Sequence, residues 1–156
     1  MARLAIDTPL DVRVLEQGIS VGEALAGFNA AHPQAGAVVS MLGKVRPDGD
    51  VQALEITHYA PLTLAGIEEL GRSARDRFAL DGLLAWHRVG VMTPAMPIVL
   101  VAAAARHRRN AFEAVDFAMD HLKSAAWFWK REKRGGEWRW VEPRAVDHSD
   151  RARWSA

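Results

Sequence analysis

The residues in this chain best equipped for chemistry are cations with no thiol beside them. Arg106-His107-Arg108-Arg109 lies between an apolar run and a helix start predicted at Asn110. Unpaired backbone N–H groups at a helix start attract anions, and arginines there add forked donors suited to phosphate or carboxylate. The segment reads either as an anion clamp or as a solvated basic loop, and its residues alone leave both open. A second basic segment, Gly43-Lys44-Val45-Arg46, follows a strand-like run and opens on a glycine that permits close backbone approach. Lys123 sits about 20° around its helix from Phe112, at the border of the stripe Phe112–Val115–Met119–Leu122. A lysine half in an apolar setting serves as acid, base or nucleophile when its pKa is depressed; more often it snorkels to water. Lys130 follows in Trp127-Phe128-Trp129-Lys130-Arg131-Glu132, where the aromatics either wall a pocket or form one side of a plain amphipathic hairpin.

Other chemistries find no signature. The six histidines form no His-Glu-x-x-His pair, so no metal site is expected. The Gly-x-Ser-x-Gly elbow, the Walker loop and the Gly-x-Gly-x-x-Gly dinucleotide loop are all missing from the sequence. With no cysteine, disulfides and thiolate nucleophiles are excluded, and a reducing compartment is suited. Asp147-His148-Ser149-Asp150 stands in a polar tail, and neighbours in sequence are rarely placed for catalysis; these residues are expected to be solvated.

These candidates need elements to hold them. The 156 residues suffice for one domain with a substantial core, and no linker, repeat or low-complexity tract divides them. A helix is predicted from Ser20, with Glu23 at capping-box spacing, ending at His32-Pro33. Strands are predicted over Ala37–Leu42 and Val51–Tyr59, joined by the turn Pro47–Asp50 as a hairpin. A second helix begins at Pro61, with Leu64, Ile67, Leu70 and Ala74 as its apolar stripe. Strands over Leu83–Val89 and Ile98–Ala105 precede the Asn110 helix, and Trp127–Glu132 with Glu137–Glu142 forms an aromatic-rich hairpin. Interleaved hairpins and helices favour an α+β domain over residues 1–146, with a polar tail over 147–156 that frays.

Charge is uneven: residues 1–102 carry a net −3 and residues 103–156 a net +4, which points to an anionic partner for the C-terminal third. With a pI near 8.2, strong nonspecific nucleic-acid binding is not implied, and a small anionic substrate fits at least as well. The longest apolar run, Ile98–Ala105, falls far short of the roughly 20 residues that span a bilayer. The expected setting is cytoplasmic, away from membranes.

Taken in order, Gly43-Lys44-Val45-Arg46, Glu55-Ile-Thr-His-Tyr59, His87-Arg88-Val89-Gly90, His107-Arg108, Ala111-Phe112-Glu113-Ala114, Met119-Asp120 with Leu122-Lys123, Phe128-Trp129-Lys130-Arg131-Glu132 and Trp140-Val141-Glu142 with Arg144 form a series. This series resembles the catalytic large subunit of molybdopterin synthase. Each piece alone is unspecific; their order and spacing carry the resemblance. It implies an α/β-hammerhead-type fold with three main helices, in a homodimer whose two ends each bind a small ubiquitin-like sulfur-carrier subunit, giving a heterotetramer. It further implies that the carrier's C-terminal Gly-Gly thiocarboxylate enters a pocket and donates sulfur to cyclic pyranopterin monophosphate, two rounds building the dithiolene of molybdopterin. By resemblance, the substrate-binding residues are Lys44, Val45, Arg46, His107, Arg108, Lys123, Lys130, Arg131 and Glu132, with Arg144 reaching the pocket from the same or the neighbouring subunit. Arg46, His107 and Arg108 are expected to take the phosphate. Lys123 is the leading catalytic residue and Lys130 its partner, and no cofactor is implied. The alternative is a single-stranded RNA-binding module that stacks bases on Trp127, Trp129, Trp138 and Trp140.

Overall fold

A strand buried on both faces needs an unbroken apolar run, and Ile98–Ala105 is such a run. In the computed structural model, which describes residues 10–125 and 127–155, this run forms β6 (Pro97–Ala105). The other strands are β1 (Leu10–Leu15), β2 (Ala37–Lys44), β3 (Val51–His58), β4 (Leu80–Arg88), β5 (Gly90–Met92), β7 (Phe128–Arg134) and β8 (Glu137–Val141). The helices are α1 (Val21–Ala31), α2 (Ala60–Phe78), α3 (Arg108–Ser124) and α4 (Ala145–Ala152). One sheet has the order β1-β4-β6-β2, with β1 parallel to β4 and the other pairs antiparallel. The second sheet, β5-β3-β7-β8, is antiparallel throughout. The architecture is α+β, as the interleaved elements predict.

Side chains alternate along β6. Val99, Val101, Ala103 and Ala105 pack with α2 and α3, while Leu100, Ala102 and Ala104 meet α1 on the opposite face. Helix α3 answers with Ala111, Ala114 and Ala118, all essentially without solvent exposure. Alanine on both sides lets helix and sheet approach closely without voids. The C-terminal end of α3 is thereby fixed beside the second sheet, whose inner residues Leu54 and Ile56 join the same core.

Several expectations change. Strands β2 and β3 do not form a hairpin: β2 pairs with β6 in the first sheet and β3 with β5 and β7 in the second. The apolar β6 needs a neighbour on each side, and Pro47–Asp50 is a crossover between sheets. Helix α3 begins at Arg108 with His107 as its N-cap, two residues before the expected start, so Arg108 and Arg109 belong to its first turn. Phe112 and Leu64 are exposed although the periodic stripes included them. The alanine row takes the inward face of α3, and Thr63 is buried in α2 by returning its hydroxyl to the Tyr59 carbonyl at 2.9 Å. Ser20 stands at the N-cap of α1 without a side-chain capping bond. The strands β1 and β5 and the helix α4 had no counterpart in the sequence pattern.

The segment from Asp147 is helical through Ala152 and tied down beyond it. The Arg153 guanidinium meets Asp116 at 2.6 Å and Asp120 at 2.7 Å, and the Trp154 indole N–H donates to Asp120 at 2.7 Å. The Trp154 ring stands edge-on to Phe78 and Phe117. The expected boundary at residue 146 therefore falls inside α4.

The alanine contact has a direct test. Ala103→Leu forces extra methylenes between β6 and α3 and lowers unfolding free energy by about 1–3 kcal/mol, read from the urea midpoint. Ala30→Leu, on the exposed side of α1, stays within about 0.5 kcal/mol of the parent.

Candidate active site

The cavity with the most chemistry opens where the two sheets and the end of α3 meet, with a volume of about 230 Å³. Each element delivers its residues for a local reason. At the end of β2 the register with β6 shifts between Gly43 and Lys44. A Cβ on Gly43 would lie 2.6 Å from the Val99 Cγ1, so only glycine lets β2 lie this close before the chain turns away. The turn is then locked by Val45, whose N–H donates to the Met96 carbonyl at 2.9 Å and whose carbonyl accepts from the Ala95 N–H at 2.8 Å. The Val45 side chain is buried, and Lys44 and Arg46 line the cavity on either side of it.

Lys123 enters from the last turn of α3. Along β7, side chains alternate, so Phe128, Lys130, Glu132 and Arg134 face the cavity. Arg144 and Asp147 close it from the start of α4, with Glu142 just before them. Phe128 is backed by His87, whose ring stacks on it at 3.9 Å between centroids and 16° between planes. Burial drives the His87 pKa down to about 3, so a neutral imidazole lies behind the cavity wall, its Nδ1 hydrogen bonded to the Arg88 carbonyl at 2.9 Å.

The two lysines are not ordinary surface ammoniums. Desolvation lowers the Lys130 pKa to about 8, with the charge of Lys123 adding to the effect and Asp147 opposing it. The Lys123 pKa is also lowered, first by desolvation and then by Arg46 and Arg144, again against Asp147. Lys123 nevertheless keeps contact with solvent, as a side chain at a cavity mouth does. The arginines around them are held by carboxylates: Arg46 by Asp48 at 3.4 Å, Arg134 by Asp50 at 2.8 Å and Glu132 at 3.0 Å, and Arg144 by Asp147 at 3.3 Å. The result is an anion-receiving hollow with one lysine able to give up its proton near neutral pH.

Of the residues expected at the site, Lys44, Val45, Arg46, Lys123, Lys130, Glu132 and Arg144 come together within one chain, Val45 through its place in the wall. Three do not. Arg131 points to the other face of β7, where it pairs with Glu55 at 2.7 Å and lies 4.6 Å over the Trp138 ring. His107 and Arg108 sit at the opposite end of α3 from Lys123, about 22 Å away at the 1.5 Å rise of a helix. There Arg108 borders a shallow depression with Arg109, Phe112, Glu113 and Asp116. Trp127 is half-buried against the core, apart from the outward-facing Trp129 and Trp140. The sequence reading missed Asp147, which it placed in a solvated tail. No sequence signal marks it: the N-cap of α4 is an arginine and not a Ser or Thr, so the capping box with Asp147 at its third position shows only in the structure. Among the described residues no group of three His, Asp or Glu side chains could hold a metal ion.

The family model described as MoaE protein matches residues 14–125. A molybdopterin synthase catalytic subunit from Caulobacter vibrioides is 44% identical over 92% of this chain and 96% of its own length. The structure of a molybdopterin biosynthesis MoaE protein from Burkholderia ambifaria superposes with a TM-score of 0.81 at 34% identity, covering 94% of this chain and 99% of that one. The fold alone is shared, at 20% identity and a TM-score of 0.75, with a chain in a complex of subunits 1 and 2 of molybdopterin-converting factor from Helicobacter pylori, over 85% of this chain and 91% of that one. With a cationic cavity built from β2, α3, β7 and α4, and matches over most of its length, the chain belongs to the MoaE protein family.

Proposed function

We infer that the protein is the sulfurtransferase subunit of a molybdopterin synthase. It converts cyclic pyranopterin monophosphate to molybdopterin with sulfur from the C-terminal thiocarboxylate of a small ubiquitin-like carrier. The observation that carries this reading is the convergence of Lys44, Arg46, Lys123, Lys130 and Arg144 on one hollow. Both reactants are anionic, one a phosphate ester and the other a thiocarboxylate, and fixed cations in a partly desolvated site stabilise such groups and the charge that develops on them.

In this reading Arg46 and Arg144 hold anionic oxygens, and Lys123, the leading catalytic residue, polarises the carrier's acyl group during sulfur attack. Lys130, with its pKa near 8, is the partner that exchanges protons. As each sulfur passes to the pterin, its bond to the carrier's acyl carbon breaks and oxygen from water takes its place, leaving a carboxylate. Glu132 keeps Arg134 in place, and Val45 fixes the turn that presents Arg46. His107 and Arg108 take the substrate phosphate from a second copy of the chain, because the length of α3 separates them from Lys123 of their own copy. Arg131 supports the wall through Glu55. The assembly is a homodimer with a carrier at each end, and its setting the cytoplasm, in keeping with a chain without cysteine.

Reconstitution tests this directly: the protein, a thiocarboxylated carrier and the cyclic pterin yield dithiolene product, while carrier with an ordinary carboxylate end yields none. In the same assay Lys123→Ala folds and dimerises but turns over at near zero; unchanged turnover removes Lys123 from the chemistry. The pH profile reports Lys130. Its neutral form accumulates as pH rises through its pKa, so single-turnover sulfur transfer climbs with pH and is half-maximal near pH 8. Lys130→Arg stays charged and loses that limb of the profile. Mixing Arg108→Ala with Lys123→Ala protomers tests the shared site. Each mixed dimer regains one intact site, so random exchange restores about a quarter of parental activity if the sites are shared. An Arg108→Ala protein that is fully active by itself places Arg108 outside the reaction, and two inactive variants that fail to complement on mixing overturn the shared site.

A further inference from the structure

Arg46 reaches the cavity from a crossover whose own side chains hold it loosely. Among the described residues its ion-pair partner is Asp48 at 3.4 Å, on the same crossover, and both side chains are mostly exposed. An exposed pair of this kind fixes little. The aim of Arg46 is therefore set by the backbone that carries it. That backbone is locked on entry, where Val45 bonds to Met96 and Ala95.

At its far end the crossover is tied to the second sheet by Arg134. The guanidinium meets Asp50 at 2.8 Å and Glu132, two residues back on β7, at 3.0 Å. Gly49 adopts a left-handed φ of +57°, and the nearest atom to a Cβ built there is the Arg134 Nη1, at 3.8 Å. The turn thus lies directly against the guanidinium. Gln52 extends the seam, its Oε1 accepting from the Gly136 N–H at 3.0 Å. The ladder of β3 on β7 shifts register here, between Val51 and Ala53, so side chains supplement an irregular backbone contact. Arg46, Asp48, Glu132 and Arg134 line the cavity, and Asp50 stands outside it.

Resting on the sulfur-transfer reading above, we propose that Arg134 is a positioning residue. By clasping Asp50 and Glu132 together it holds the Pro47–Asp50 crossover over the cavity and so aims Arg46 at the anionic reactant. A guanidinium suits the task because its planar fork spans two carboxylates, where an ammonium is a single point of charge. Arg134 acts through the crossover, and the reactant need not touch it.

Replacing Arg134 also removes a cation from the cavity, so the decisive variant is Asp50→Ala. It opens the same contact while leaving the cavity more positive. If charge alone governs anion affinity, Asp50→Ala tightens binding; if the crossover aims Arg46, binding weakens. The Asp50 side chain is 70% exposed, so the variant keeps the fold. The full-length protein is titrated with inorganic phosphate by NMR, and KM for the cyclic pterin is measured in the reconstituted synthase. Phosphate affinity falls and KM rises by about tenfold, the loss of one well-aimed charged hydrogen bond. The kcat stays within about twofold, as expected when binding alone is lost. Amide exchange quickens at Val51, whose N–H donates to the Asp48 carbonyl at 3.2 Å. Arg134→Lys keeps the charge without the fork and shifts phosphate affinity in the same direction. Unchanged or tighter phosphate binding by Asp50→Ala overturns the proposal, and so does a wild-type protein that binds no phosphate. The titration and the amide exchange need neither carrier nor turnover, so a failed wild-type reconstitution overturns the sulfur-transfer reading alone.

Discussion

Like charges brought to one hollow repel, and the rest of the molecule has to hold against that repulsion. Lys44, Arg46, Lys123, Lys130, Arg134 and Arg144 share a cavity of about 230 Å³. At an effective dielectric of about 20, two unit charges 8 Å apart repel by about 2 kcal/mol, so several such pairs are a substantial load. Four carboxylates in the same cavity, Asp48, Glu132, Glu142 and Asp147, offset part of it, three of them paired with its arginines. The opposing stability comes from the alanine-lined contact of β6 with α3 and from the core shared by the two sheets, which fix the ends of β2, α3 and β7 in mutual register.

Within the cavity, the two kinds of cation are treated differently. Every ion pair found among the described residues is made by an arginine. A guanidinium stays charged at any accessible pH and its planar fork matches a carboxylate, so it serves as a fixed positive wall. An ammonium desolvated beside such a wall is the group that yields, which is why the shifts fall on Lys123 and Lys130. The neutral His87 behind Phe128 adds no charge to this balance and supplies a flat backing for the aromatic wall.

How much of this was legible in the sequence depends on the range of the interaction involved. The helices α1 and α2 and the strand β6 follow from apolar patterning and, for α2, from Pro61 in its first turn, because these signals lie within a dozen residues. The pairing of β2 with β6 instead of β3 was not legible, since strand alternation does not say which sheet a strand joins. Helix α3 starts early because the inward alanines, not Asn110, fix its register against β6. Lys123 and Lys130 stood out as cations among apolar neighbours, but only the meeting of α3 with β7 sets Lys130 half-buried in the cavity wall and Lys123 at its mouth. Asp147 was hidden because a polar tail and a docked helix share the same composition; the difference lies in Arg153 and Trp154 finding Asp116 and Asp120 more than thirty residues upstream.

The alternation of β7 and the length of α3 together divide the basic residues of the C-terminal third into separate tasks. Lys130 and Arg131 are neighbours in sequence, yet one enters the cavity and the other leaves it for Glu55 and Trp138, so a basic run on a strand is never a single patch. On α3 the division is longitudinal: Arg108 presents its fork at the positive end of the helix dipole, and Lys123 ends the same helix some four turns later. A helix this long is a rigid spacer that no side-chain rotation spans. The two ends therefore cannot meet on one small anion within a single chain, and they do so only across a two-fold axis that sets the start of one α3 beside the end of its partner's.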